Sequence, residues 1–185
     1  MKRSQMLAIL LFLSLNTATA RCTTFARMTL GQMTAAAPFV GRVRCLGNTA
    51  GWEGGEIWTI TSFAVLEVWK GSAPPQIAVR LIGGQVGHLI SSVAGVPRFQ
   101  PGEEAILFLM PTREGEFTVA GWMQGTFRIR RDPRAGIECV TQDTAGMAVF
   151  DPRTRQFQTS GIRDLPVERF HERVAAEMNA AGRKP

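Results

Sequence analysis

The alternation of apolar and polar residues predicts a chain built mostly from short β-strands. Residues 39–45 alternate between a mainly apolar face and a face that carries Arg42 and Arg44, which indicates a half-buried strand. Residues 57–69, IWTITSFAVLEVW, are rich in β-branched and aromatic side chains and too long for a flat edge strand, so this strand is expected to bend. Further strands are predicted at residues 77–82, 86–93, 105–110, 117–122, 126–129 and 137–141.

Three local patterns refine this picture of the strands. Residues 47–55 contain four glycines and are predicted to form a loop. Gly83-Gly84 marks a break where another group can approach the backbone closely. Residues 105–110, AILFLM, are apolar on both faces and therefore predict a central strand. The strands at 117–122 and 126–129 are expected to be neighbours in the sheet.

Two helices are predicted, one near each end of the mature chain. Thr29 and Gln32 have the spacing of a capping box, and the helix that they begin is expected to stop at Pro38. Near the end of the chain, apolar residues recur with helical spacing over about residues 165–180, after entry through Pro166. That stripe consists of Val167, Phe170, Val174 and Met178. Many short strands with two helices predict a mainly β fold, a barrel or a sandwich with helical additions.

Residues 1–20 have the three parts of a cleavable signal peptide. Lys2 and Arg3 precede an apolar stretch, and small residues lead up to Ala20. Residues 21–185 then form a single domain, since neither a linker nor a repeat divides them. The protein is expected to be exported to the periplasm or secreted, without a transmembrane anchor, because no later segment is long and apolar enough to span a bilayer.

The cysteines and the two histidines give little sign of catalysis. Export exposes Cys22, Cys45 and Cys139 to oxidising conditions, so one disulfide and one free thiol are expected, with all three pairings open. No zinc, phosphate-binding or nucleophile motif is present, so no metal or cofactor is predicted. His171 is expected to be an ordinary helix histidine, whereas His88 follows GGQVG and is a weak candidate for ligand binding.

The net charge of +6 for the full chain is mild, but four arginines are concentrated in FRIRRDPR. Arg128, Arg130 and Arg131, with Arg134, are weak candidates for binding phosphate or an acidic glycan. The competing interpretation is the solvated side of an outer hairpin, partly neutralised by Asp132 and Glu138. Nucleic acid is not expected as a partner of an exported protein.

Two glycine- and proline-marked stretches, residues 83–88 and 97–103, have no evident packing role. A pocket formed where they converge with His88 would favour an enzyme or a small-ligand site. Separate, splayed turns would favour a scaffold.

Two resemblances to known proteins can be stated on particular segments. GGEIWT, VRLIGGQVGHL, GVPRFQPGEEAILFL and VAGWMQGTFRIRR resemble a group of uncharacterised exported bacterial proteins, seen mainly in acidobacteria-like genomes. This resemblance covers about residues 25–170 and implies export without assigning catalytic residues.

An early cysteine, the strand FVGRV, a long second strand and a Lys-Gly turn are similar to the netrin-like module of tissue inhibitors of metalloproteinases. The resemblance implies an OB-type β-barrel with terminal helices. In that family the first mature residue is the cysteine that chelates the protease zinc, whereas Arg21 precedes Cys22 here and Thr24 replaces a second cysteine. A mature chain that starts at Arg21 is therefore expected not to inhibit zinc proteases by chelation.

The leading functional hypothesis is an exported, non-catalytic binding module with a protein or glycan partner, because a full β domain carries no recognisable catalytic constellation. Two alternatives stay open. The first is a small secreted enzyme that uses a cysteine with His88, and the second is a metalloprotease inhibitor-like protein.

Overall fold

The computed structural model describes residues 26–133, 135–144, 148–159 and 161–182. The predicted signal peptide, Arg21, Cys22 and Arg134 lie outside the described residues. The described chain is mainly β with two α-helices, as the hydrophobic pattern predicts. Across this part of the chain, no helix has both the length and the apolar character needed to cross a membrane.

The elements follow one another along the chain in a mostly β order. Helix α1 (Leu30–Ala36) precedes strands β1 (Phe39–Glu53), β2 (Glu56–Lys70), β3 (Gln76–Ile82), β4 (Gly84–Val86), β5 (Leu89–Ser91), β6 (Glu104–Pro111) and β7 (Phe117–Val119). A 3-10 helix (Trp122–Gly125) leads to β8 (Thr126–Arg131), β9 (Glu138–Gln142), β10 (Val149–Asp151), β11 (Gln156–Gln158) and β12 (Leu165–Pro166), and helix α2 (Val167–Ala181) ends the described chain.

Strands β1 and β2 form a long antiparallel hairpin, which runs from the pair Val40 and Lys70 at its open end to the pair Glu53 and Glu56 at its turn. The prediction of a loop at residues 47–55 is wrong, because Gly47–Glu53 continue β1 and pair with the first half of β2. Only Gly54 and Gly55 form the turn, with φ angles of 58° and 84°. Positive φ at both turn positions suits glycine and matches the twist of a tight hairpin. Ladder hydrogen bonds thus override the loop tendency of a glycine-rich segment.

The pairings of five strands in the main sheet begin and end at β1. β1 pairs with β2, β2 with β3, β3 in parallel with β7, β7 with β6, and β6 with β1. From β6 the sheet continues through β8 and β9 to β12. The expectation that strands at 117–122 and 126–129 are neighbours is wrong, since β7 and β8 do not pair with each other. They pair with successive parts of the same edge of β6, β7 with Leu109–Pro111 and β8 with Ala105–Leu107, and residues 122–125 form the 3-10 helix between them.

Strand β6 lies between two hydrophobic clusters, which explains why it is apolar on both faces. Ala105, Leu107 and Leu109 face the inner cluster, together with buried side chains of β1, β2, β3 and β7. Ile106 and Phe108 face the outer cluster, which the two helices cover. The prediction of a central strand is confirmed.

Both predicted helices are confirmed. Thr29 and Gln32 form the expected capping box at the start of α1. At the other end of α1, the Lys70 ammonium group donates to the carbonyl oxygens of Thr34 and Ala37, satisfying acceptors that the helix leaves open. On α2, Phe170 and Val174 are fully buried against the outer cluster.

The described cysteines form no disulfide. Cys45 and Cys139 are free, buried thiols, and the third candidate, Cys22, lies outside the described residues. Cys45 packs in the inner cluster, and Cys139 is buried on β9.

An ion-pair network fastens β1 to β6 beside the outer cluster. Glu104 accepts hydrogen bonds from Arg42 Nε at 2.7 Å and from Arg44 Nη2 at 2.7 Å. Arg42 also donates to Glu138 on β9 at 2.8 Å, so one guanidinium connects three strands. Burial raises the pKa of the Glu104 carboxyl, but hydrogen bonds from Arg44 and Arg42 outweigh burial and hold that pKa below its ordinary value.

We predict that Glu104→Gln lowers the free energy of unfolding by about 1–3 kcal/mol at pH 7, because the partly buried Arg42 guanidinium and the exposed Arg44 guanidinium lose their carboxylate. The depressed folded-state pKa makes this stabilisation present above the unfolded-state pKa, and it is lost as pH falls through the folded-state pKa. Urea denaturation between pH 7 and pH 3 should therefore show the wild type and the variant converging in acid. The exposed Glu114→Gln is the control, and an equal effect of both substitutions would contradict the network's role.

Candidate functional site

Parts of the two stretches singled out in the sequence, Gly84-Gln85 and residues 97–100, line one groove of about 450 Å³, without His88. The inner face of the β1–β2 hairpin forms one wall, the β4–β5 hairpin forms another, and residues 97–100 form the third. This volume lies within the range of about 300–1,000 Å³ that is typical of small-ligand sites. Because both sequence-marked stretches contribute to its lining, the groove is the candidate functional site.

The hairpin wall presents polar side chains where the sheet would otherwise continue its apolar core. Ile57, Thr59, Thr61 and Phe63 lie on the same buried face of β2. Thr61 donates to Asn48 Oδ1 at 2.6 Å, and Asn48 Nδ2 in turn donates to the carbonyl oxygen of Phe99 at 2.8 Å. These bonds join the hairpin wall to the loop wall.

Glycine at positions 83 and 84 lets the walls approach each other. Gly83 has a φ of 87°, and a Cβ atom there would lie 2.5 Å from Arg98 Nη2 and 2.7 Å from the carbonyl oxygen of Ser91. A Cβ on Gly84 would overlap Thr59 Oγ1. The predicted close approach at Gly83-Gly84 is confirmed.

Arg98 is the charged side chain of the groove. Its Nη2 donates to the carbonyl oxygen of Ser91 at 2.9 Å, and its Nη1 lies 3.4 Å from Thr59 Oγ1. Thr59 donates its own proton to the carbonyl oxygen of Gly83 at 2.6 Å. All the acceptors that hold Arg98 are neutral. Among the described residues that line the groove, there is no acidic side chain.

Arg128 lies outside the groove lining and contacts the loop of residues 97–100. Its Nη2 donates to the carbonyl oxygen of Arg98 at 2.6 Å, and its guanidinium carbon lies 4.6 Å from the centre of the Phe99 ring. Glu103 and Asp143 both accept hydrogen bonds from Arg128 at 2.7 Å. Two carboxylates thus neutralise Arg128, which acts as a positioning residue for the loop.

The other predicted site residues do not reach the groove. His88 is exposed in the turn between β4 and β5, outside the groove lining. Arg130 and Arg131 are exposed at the end of β8, on the hairpin with β9. The structure therefore pairs the partly buried Arg128 with carboxylates, exposes Arg130 and Arg131, and keeps His88 outside the groove.

Neither described cysteine has the surroundings of a nucleophile. Cys45 is 1% exposed in the inner cluster, and burial raises the pKa of its thiol. Burial also raises the pKa of the Cys139 thiol. Raised pKa values keep both thiols protonated at neutral pH and disfavour attack on a substrate. In the described ranges, no group of three His, Cys, Asp or Glu side chains is arranged to hold a metal ion.

Arg98, Thr59 and Thr61 carry the chemistry of the groove, although the sequence patterns did not single them out. Threonine is frequent in strands of every kind, so its presence in IWTITSF does not distinguish a groove wall from a sheet surface. A lone arginine after Pro97 is equally ordinary. The available signal was the pair of glycine- and proline-marked stretches, which located the groove without naming these side chains.

No protein-family model matches the chain, and no curated protein matches it either. Functional inference for this chain therefore depends on the geometry of the groove.

We predict that Gly83→Ala lowers the free energy of unfolding by roughly 1–3 kcal/mol, because alanine is strained at this positive φ and its methyl group meets Arg98 and Ser91. Gly51→Ala is the matched control, since a Cβ there meets nothing within 4 Å. The control should leave stability unchanged or raise it by up to about 1 kcal/mol. Equal unfolding midpoints for the two variants in guanidinium chloride would contradict the close approach.

Proposed function

We propose that this protein is an exported, non-catalytic binding module that holds its ligand in the groove. The meeting of Gly84-Gln85 with residues 97–100 in one groove supports this proposal most strongly. Polar side chains from separate elements meet there, yet the described lining has no histidine, cysteine or carboxylate that could transfer a proton or attack a substrate. Such a lining suits recognition by hydrogen bonding.

The architecture that we propose is OB-like. Its support is the pairing order β1–β2–β3–β7–β6, with β6 pairing again to β1 and with β3 parallel to β7. A five-stranded Greek-key barrel of the OB type closes through the same order. The netrin-like resemblance agrees with the short helix before β1 and with the amphipathic helix α2 after the last strand.

Export remains part of the proposal, on the basis of the signal-like residues 1–20. The metalloprotease-inhibitor alternative needs Cys22 to be the first mature residue, whereas the predicted cleavage leaves Arg21 in front of it. The enzyme alternative needs a thiol beside His88. Cys45 is instead buried in the inner cluster, and His88 is exposed on a turn.

The groove can be blocked without altering the core. Ser92 is exposed in the groove lining, and Ser72 is exposed in the turn between β2 and β3. We predict that Ser92→Trp reduces binding by about tenfold or more on an array of defined oligosaccharides and peptides, because an indole fills the groove. Ser72→Trp, the same substitution outside the groove, should bind as the wild type does.

Two outcomes of this array experiment would overturn the proposed function. One is that the wild type retains no probe, and the other is that both tryptophan variants bind equally. As a check for catalysis, the same proteins should be assayed with peptidase, esterase and glycosidase substrates. Turnover that disappears in His88→Ala would replace the binding module with the enzyme alternative.

A further inference from the structure

We propose that the groove takes a saccharide that carries a carboxylate, and that Arg98 holds this carboxylate. The inference rests on the proposed function, because it names the chemical class of ligand for the same groove. It is carried by the charge, the hydrogen-bonding capacity and the position of the Arg98 guanidinium.

Arg98 differs from the other anchored arginines in the nature of its partners. Within the described part of the chain, six arginines are paired with carboxylates: Arg27, Arg42, Arg44, Arg80, Arg128 and Arg169. Arg98 is anchored as well, but through a backbone carbonyl and a hydroxyl group, and it has no carboxylate partner among the described residues. Among the described residues, its positive charge therefore has no ion-pair partner at the groove.

The guanidinium of Arg98 has donors left for a ligand. An arginine side chain carries five N–H donors, and the contacts with Ser91 and Thr59 use one each from Nη2 and Nη1. The Nε–H and one N–H on each terminal nitrogen remain. Because a guanidinium presents its donors in a planar fork, these can form two parallel hydrogen bonds to one carboxylate.

The surrounding structure fixes Arg98 in place before any ligand arrives. Its backbone carbonyl accepts from Arg128, and the next residue, Phe99, is 3% exposed and stacks edge-on to Phe63 at 5.0 Å. The loop is also tied through the hydrogen bond between Asn48 and the Phe99 carbonyl. A charge that is already positioned loses little conformational freedom on binding.

The rest of the lining favours a saccharide as the carrier of the carboxylate. Hydroxyl and amide groups surround Arg98, from Ser91, Ser92, Gln85, Gln100 and Asn48. Each can donate or accept a hydrogen bond, which matches the alternating donors and acceptors of sugar hydroxyl groups. The lining also includes the exposed Ile90, which offers apolar contact to a sugar ring.

The test uses the full mature protein and isothermal titration calorimetry. The probes are uronate disaccharides of the galacto, gluco, manno and gulo series, each as the free acid and as the uncharged methyl ester. The variants are Arg98→Gln and the matched control Arg113→Gln, which alters an exposed arginine in the β6–β7 turn. Ser92→Trp is included as the groove block, and thermal unfolding verifies that each variant is folded.

We expect the wild type and Arg113→Gln to bind at least one free acid about 10- to 100-fold more tightly than its ester, because the acid gains charge-assisted hydrogen bonds. Arg98→Gln should lose this preference and bind acid and ester alike. Affinity for the acid should also fall with added salt, as expected for an exposed charge pair.

The opposite results separate this inference from the proposed function. Equal binding of acid and ester that Ser92→Trp abolishes would overturn the carboxylate contact and leave the binding function standing. Inorganic phosphate or a peptide carboxylate that binds as tightly as the uronates would overturn the saccharide assignment. If no uronate binds to the wild type, the inference is overturned, and the proposed function then stands or falls on the array with Ser92→Trp.

Discussion

Burial of β6 on both of its faces organises the strands and helices around it. Its alternate side chains enter two different clusters, and its backbone pairs with β1, β7 and β8. Each fully buried large apolar side chain stabilises the fold by roughly 1.5–3 kcal/mol relative to an exposed one. The buried side chains of β6 together therefore contribute more to stability than any single surface contact. With β6 fixed, β1 and β2 must curve around the inner cluster, and the helices must cover the outer one.

The groove is a consequence of how the long hairpin extends past that inner cluster. A register shift between Cys45 and Gly47 interrupts the regular pairing of β1 with β2. Beyond it, polar side chains line the hairpin, with Thr59 and Thr61 buried and Asn48 exposed. These polar groups are satisfied by contacts with the loop and the glycine break, and the described part of the chain has no buried side-chain nitrogen or oxygen without a partner. The same hydrogen bonds hold the walls of the groove together.

The predictable parts of the molecule are those whose signals are local. The capping box at Thr29, the apolar stripe of α2 and the doubly apolar run of β6 need only neighbouring residues to be read. The loop expected at residues 47–55 failed because strand pairing with β2 is a tertiary effect that glycine content does not reveal. The pairing of Arg128 with Asp143, and the lack of a carboxylate at Arg98, likewise depend on which loops the fold brings together.

In the proposed binding mode, Arg98, rather than the arginines of β8, meets the ligand. Two-dimensional ¹H–¹⁵N spectra of the arginine Nε–H groups, recorded during titration with a uronate disaccharide, distinguish these positions. The Arg98 signal should shift in proportion to bound ligand, while the Arg113 signal stays in place. Shifts confined to Arg130 and Arg131, with Arg98 unchanged, would contradict the claim.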